Sequence, residues 1–274
     1  MQIRNDIHTH IGKFYDCNYQ YSLVFNALKK CGIEETSFAY LTPLFTDFDM
    51  AFEFYKSMTD EVIKAISYAE KVGLKVTPLY WVDPLILSGN IKLEKIFKDA
   101  NYKGLVIHPF LNDWNIKNDR TKLLLKEVFD FAENNKYEIY IHTGCSEKDN
   151  PQNFEEYFKN YKSVKVHLAH CKDPKPIIDL FRKYTNLVGD TAFCPLDSYS
   201  EICDAGFKDR MLFGTDFPVT HWWHNYKDAE KSISEEILIS DYEISVNENA
   251  IIKYIELNNN AKSTKRKFCS AEKL

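Results

Sequence analysis

Apolar residues recur at two spacings along this chain, and the two alternate. Leu23, Val24, Ala27, Leu28 and Cys31 share one helical face, with Gly32 as its stop. Val62, Ile63, Ala65, Ile66, Ala69 and Val72 repeat that pattern and end at Gly73. Further helical segments are predicted near 91–100, 120–135, 152–161, 174–184 and 196–205. Between them lie short runs of strand length: an opening run that ends at His10, then 36–41, 74–81, 104–108, 138–142, 164–169, 187–191 and 211–215. Residues 43–56 carry Leu44, Phe45, Phe48, Phe52, Phe54 and Tyr55 and read as a long, packed aromatic connection. Strands that alternate with helices call for a parallel sheet with helices outside it, and eight repeats predict closure into a (β/α)₈ TIM barrel. An open doubly wound sheet is the runner-up, but no Gly-x-Gly-x-x-Gly follows the first strand.

The 274 residues suffice for such a barrel, which needs roughly 250. No linker or low-complexity block divides them, so one domain over 1–260 is expected, followed by a solvated basic tail over 261–274 that contains Lys265-Arg266-Lys267. A net charge of −5 argues against nucleic acid as the main partner and leaves a small-molecule substrate. No run approaches 18 apolar residues, and the start lacks the apolar stretch of a secretory signal, so neither membrane nor export is expected. Seven cysteines, an odd number with no Cys-x-x-Cys pair, fit reduced thiols and a cytoplasmic protein. Assembly into a homo-oligomer stays open.

The candidate chemistry collects at strand ends. His8 and His10 stand two residues apart, and strand alternation turns both to one face, where two imidazoles can share a metal ion. His142 closes a predicted strand and is followed by Thr143-Gly144, a sharp exit. His167 and His170 should face opposite ways on a regular strand; His170, nearer the end, takes the inward role, and His167 a packing or hydrogen-bonding one. Asp216 follows the apolar run Met211-Leu212-Phe213-Gly214-Thr215, which would leave a carboxylate in the barrel mouth unless a cation or hydrogen bonds receive it. Each of these alone is as well explained by a polar residue satisfied at a strand end. Together His8, His10, His142 and Asp216 make a shell for Zn²⁺ or another borderline divalent ion, with room for water.

In this order the motifs Asp6-Ile7-His8-Thr9-His10, Gly104-Leu105-Val106-Ile107-His108-Pro109, Ile141-His142-Thr143-Gly144, Leu168-Ala169-His170 and Leu212-Phe213-Gly214-Thr215-Asp216-Phe217-Pro218 resemble the amidohydrolase superfamily. The likeness is closer to its amidohydrolase-related branch, which includes aminocarboxymuconate-semialdehyde decarboxylase and related aromatic-acid decarboxylases. Val246-Asn247-Glu248-Asn249-Ala250-Ile251-Ile252 is similar to the Asn-Ala helix that closes those domains. The resemblance implies a distorted barrel of the metallo-dependent hydrolase type with one tightly held metal ion, Zn²⁺ first among candidates. It implies His8, His10, His142 and Asp216 as ligands or near-ligands, Asp216 as the proton carrier and His170 as the group that orients water or polarises substrate. Many superfamily members bridge two metals with a carboxylated lysine from strand four; Val106 holds that position here, which favours one metal, with His108 left as holder of a weak second ion.

Two reactions follow from such a shell: hydrolysis of a C–N or C–O bond, and, as the alternative, non-oxidative decarboxylation of an aromatic or unsaturated acid. A metal-dependent phosphoesterase or nuclease fits less well, since a glutamate is expected where Val106 and His108 stand, and a barrel retained only for ligand binding ranks below all three. Substrate-reading residues are sought in the loops: Trp114 with Asn115, Lys148 with Asn150, Cys194, and the cluster His221, Trp222, Trp223 and His224, which could stack on a planar substrate or cover a barrel end.

Overall fold

Nine strands form one sheet in the computed structural model, which describes residues 3–89, 91–144, 146–225 and 233–258. They are β1 (Asn5–Phe14), β2 (Cys17–Tyr19), β3 (Glu35–Tyr40), β4 (Lys75–Trp81), β5 (Gly104–Ile107), β6 (Glu138–His142), β7 (Val166–Ala169), β8 (Leu187–Asp190) and β9 (Met211–Leu212). The helices are α1 (Tyr21–Lys30), α2 (Phe48–Val72), α3 (Pro84–Ser88), α4 (Leu93–Ala100), α5 (Asp119–Asn135), α6 (Glu155–Asn160), α7 (Pro174–Lys183), α8 (Leu196–Asp204), α9 (Val219–Asn225) and α10 (Glu235–Glu248). From β1 through β3 to β9 every neighbouring pair is parallel, while β2 returns on β1 as an antiparallel hairpin.

The sheet closes on itself just past β9. Ile7 N–H donates to the Phe213 carbonyl at 3.1 Å, Asp216 N–H to the His8 carbonyl at 2.8 Å, and His10 N–H to the Phe217 carbonyl at 2.7 Å. Gly214 is required at this seam, because a Cβ there would stand 2.9 Å from the His8 Cβ. Asp6 reinforces it from within: its buried carboxyl accepts from Thr215 Oγ1 (2.6 Å), Tyr242 Oη of α10 (3.0 Å) and the His8 N–H (3.1 Å). Burial pushes the Asp6 carboxyl up to about 6, even against these donors. The predicted barrel is thus the observed one, with parallel strands inside and helices outside.

Two local expectations are corrected. The aromatic stretch 43–56 is a connection only up to Asp47, whose side chain accepts from Met50 N–H and starts α2 at Phe48. The aromatic residues there hid a helical face: Ala51, Tyr55, Met58, Val62, Ala65 and Ala69 are all buried along it. The second correction lies in β7. His167 faces the barrel interior, stacked on Tyr140 at 4.0 Å with its Nε2 2.7 Å from Glu138 Oε2. His170 nevertheless faces the cavity as well, since the strand ends at Ala169 and a φ of 71° at His170 breaks the alternation. The expected tail over 261–274 lies outside the described residues.

Candidate active site

The carboxyl ends of the barrel strands surround a cavity of about 250 Å³, large enough for a single-ring molecule. On β1 the register against β3 shifts between Asp6 and Thr9, a bulge of the kind that re-aims side chains beside sites. His8 and His10 both reach the cavity there, their ring centroids 5.1 Å apart. His8 Nε2 stands 3.5 Å and His10 Nε2 2.8 Å from Asp216 Oδ1. His8, His10 and Asp216 therefore form a group whose ligand atoms all lie within 4.8 Å of one another.

The hydrogen bonds behind these rings fix their protons. His8 Nδ1 donates to Asp190 Oδ2 at 2.9 Å, and His10 Nδ1 donates to the Ala39 carbonyl at 3.3 Å, an oxygen that can only accept. Both rings thus offer Nε2 to the cavity. A lone pair on His10 Nε2 cannot face an ionised Asp216 at 2.8 Å without a positive charge between them. A divalent cation fits that requirement, with a nitrogen-rich donor set suited to it.

His142 and His170 form a second pair. His170 Nδ1 donates to the Ala192 carbonyl at 2.9 Å, so its Nε2 accepts from His142 Nδ1, also at 2.9 Å, and the free lone pair of His142 is on Nε2. Burial above all, with the surrounding imidazoles adding to it, holds His142 well below the usual histidine range, and burial also lowers His170. His142 lines the same cavity as His8 and His10, but the ligand atoms it groups with belong to His108 and Asp149. Its ring stacks on His108 at 3.7 Å, and His108 in turn on Trp81 at 5.3 Å. His108 accepts the Leu111 N–H on Nδ1 at 3.2 Å, and burial pushes its pKa down to about 3, so its one proton sits on Nε2. With His142 and Asp149, His108 forms a further group whose ligand atoms lie within 4.8 Å of one another. His170 has both nitrogens engaged and, in this arrangement, acts on the cavity by orienting His142.

Asp190 is the residue that sequence reasoning missed. It is fully buried at the end of β8, where Oδ1 accepts the N–H groups of His170 (3.0 Å) and Ala192 (3.1 Å) and Oδ2 takes His8. Burial alone would raise it, but the charge and hydrogen bond of His8, with the charge and N–H of His170, bring its pKa below the usual range. Asp216 is likewise held down by His8 and His10 against its burial. The signal was available: Leu187-Val188-Gly189-Asp190 is an apolar strand ending in a carboxylate, the same pattern that singled out Asp216.

Burial disfavours charge on His8, yet Asp190 and Asp216 outweigh it and raise its pKa to about 9. In the ion-free protein at neutral pH the ring carries two protons, and a cation at Nε2 must displace one. Apparent cation affinity should therefore rise by about tenfold per pH unit below that pKa. Calorimetric titration with Zn²⁺ between pH 6 and 7.5, in two buffers of different ionisation enthalpy, counts the protons released; fewer than one per ion would contradict this charge state.

The remaining candidates scatter. His221 is fully buried and bonded to Asp241. His224 lies beside Asp241 and Glu248, away from the cavity. Trp222 stacks on Tyr15 at 4.7 Å, and its neighbour Trp223 lines the cavity instead. Trp114 is buried outside the cavity, Lys148 pairs with Asp113, Asn150 caps the turn at Pro151, and Cys194 borders a neighbouring recess. Val106 does line the cavity, where a bridging lysine would otherwise stand. No helix among the described residues is long and apolar enough to cross a membrane.

Comparison with known proteins bears on this geometry. The chain is similar in structure to 2,6-dihydroxybenzoate decarboxylase from Rhizobium, with a TM-score of 0.54 at 14% identity over 89% of this chain and 98% of that one. It is similar to a protein described as amidohydrolase II, with a TM-score of 0.57 at 13% identity over 90% and 100% of the two chains. A third likeness is to 5-carboxyvanillate decarboxylase from Novosphingobium aromaticivorans, solved with manganese and a nitrobenzoic acid, with a TM-score of 0.51 at 13% identity over 78% and 75%. Identities this low establish the fold alone. Among curated protein sequences none matches. A family model described as amidohydrolase matches residues 48–238, more than half of the sequence and including His142, His170, Asp190 and Asp216. The chain belongs to the amidohydrolase family of enzymes.

Proposed function

We propose that this cavity is the active site of a metal-dependent hydrolase that holds one divalent ion, Zn²⁺ first, and acts on a C–N or C–O bond of a small molecule. The observation that carries the reading is the convergence of His8 Nε2, His10 Nε2 and Asp216 Oδ1 on one point, with every opposite ring nitrogen anchored. His142, whose Nε2 lone pair is free, is the fourth candidate ligand. When bound, such an ion supplies Lewis-acid polarisation and a lowered pKa for water. Asp216, ionised and buried at the cavity wall, takes the proton from the attacking water and returns it to the departing nitrogen or oxygen as the C–N or C–O bond breaks.

Decarboxylation of a planar acid is the second reading, supported by the aromatic lining and by the acids named for two structural neighbours. There Asp216 would take a proton from water and hand it to the carbon as carbon dioxide leaves. Purified protein should contain about one divalent ion per chain, and His8→Ala should lose it. With the ion loaded, product from neutral amides or esters supports hydrolysis, and carbon dioxide from aromatic acids supports the second reading. A folded, metal-free native protein that takes up no ion would overturn both.

A further inference from the structure

Among the described residues the cavity wall carries one lysine, Lys172, and no arginine. It follows His170 and Cys171, whose φ values of 71° and 42° turn the chain sharply at the end of β7. Side chains with a Cβ adopt that region only at a cost, so the turn is held by its surroundings. Phe193, with a φ of 51°, is strained in the same way and faces Lys172, whose Nζ is 5.9 Å from the ring centroid.

Lys172 is half-buried, yet among the described residues it has neither an ion-pair partner nor a side-chain hydrogen bond. Others in the same part of the chain, Lys148, Lys165 and Lys183, each meet a carboxylate. Its charge is felt by Asp149, His142 and His170. Asp149 is the acidic group among them, and its oxygens already accept from Phe110 N–H (3.0 Å) and Ser146 Oγ (2.6 Å). Asp216, the carboxylate of the lining, is taken by the two imidazoles of β1. The Phe193 ring, 5.9 Å away, supplies only a weak attraction, and an ammonium partly withdrawn from water gains from a counter-charge. The protein supplies none at contact distance, and the ligand can.

We propose that Lys172 is the specificity residue of this cavity: it binds a non-reacting carboxylate of a planar, aromatic or unsaturated substrate whose reacting end lies at Asp216. This rests on the cavity being the active site and holds for hydrolysis and decarboxylation alike, since the carboxylate that Lys172 reads is not the bond that breaks. Trp81, Phe193 and Trp223 in the same wall suit the flat body of such a molecule.

The test uses isophthalate and terephthalate against their monoamides, 3- and 4-carbamoylbenzoate, bound to the metal-loaded protein and followed by tryptophan fluorescence or calorimetry. Each pair shares one carboxylate and differs only in the second, so the part of the preference that Lys172 carries is the part lost on its substitution. Wild type should bind at least one diacid about 10- to 100-fold more tightly than its monoamide, the range expected for a charge-assisted contact. Lys172→Met should abolish that preference with the thermal midpoint unchanged, and Lys172→Arg should keep most of it. A diacid preference that survives Lys172→Met, or a wild type with no preference, overturns the proposal. Metal content of the same preparations separates the two levels: about one ion per chain with no diacid preference refutes Lys172's role alone, whereas no ion uptake refutes the reading of the site.

Discussion

Replacing Asp216 by asparagine should lower turnover by about 10²–10⁴-fold, the range for loss of a positioned proton carrier, while leaving the barrel folded. The amide has the carboxylate's shape, and the seam is held by the Asp216 N–H on the His8 carbonyl, which the substitution does not touch. What is lost is charge and basicity between His8 Nε2 and His10 Nε2. Asparagine can neither take a proton from water nor balance the imidazoles beside it. Initial rates with the reactive substrate, beside a thermal melt and metal content, check this; an asparagine variant with wild-type turnover would remove Asp216 from the chemistry.

The strand ends were legible because the chemistry-bearing residues stop apolar runs. His142 is the last residue of β6, and the predicted bounds of that strand match the observed ones. What could not be read were departures from regular geometry. Alternation assigned opposite faces to His167 and His170, but a left-handed residue resets the count, and no glycine marks it. The stretch 43–56 misled for a different reason: a face rich in phenylalanine and tyrosine looks aperiodic until the helix that begins at Phe48 is in place. The hairpin β1–β2 depends on three residues of β2 and gave no pattern to find.

For the site, sequence order supplied His8, His10 and Asp216 but not the network that assigns their protons. His170 illustrates the gap. Its place after β7 suggested contact with substrate, whereas its Nε2 is occupied by His142 and its Nδ1 by the Ala192 carbonyl. Lys172 was passed over because nothing in sequence shows that a lysine lacks a carboxylate partner. His221 was considered for the cavity because it sits beside two tryptophans, yet the helix that carries it turns it onto Asp241.

Asp190 should separate stability from metal binding when two substitutions are compared. Asp190→Ala leaves three buried donors, His8 Nδ1 and the N–H groups of His170 and Ala192, without an acceptor, a loss expected to cost about 3–5 kcal/mol and to lower the thermal midpoint sharply. Asp190→Asn keeps an oxygen for the two amides, so its NH₂ must face His8 Nδ1. A donor there forces His8 to accept on Nδ1 and to carry its proton on Nε2, the atom that faces Asp216. The asparagine variant should therefore stay folded with a modest loss of stability, while its cation affinity falls by about 10- to 100-fold, as when a partner behind a metal-binding histidine is removed. Denaturant melts and Zn²⁺ titrations on the two variants read these effects apart. Wild-type cation affinity in Asp190→Asn would show that the tautomer of His8 does not control the site.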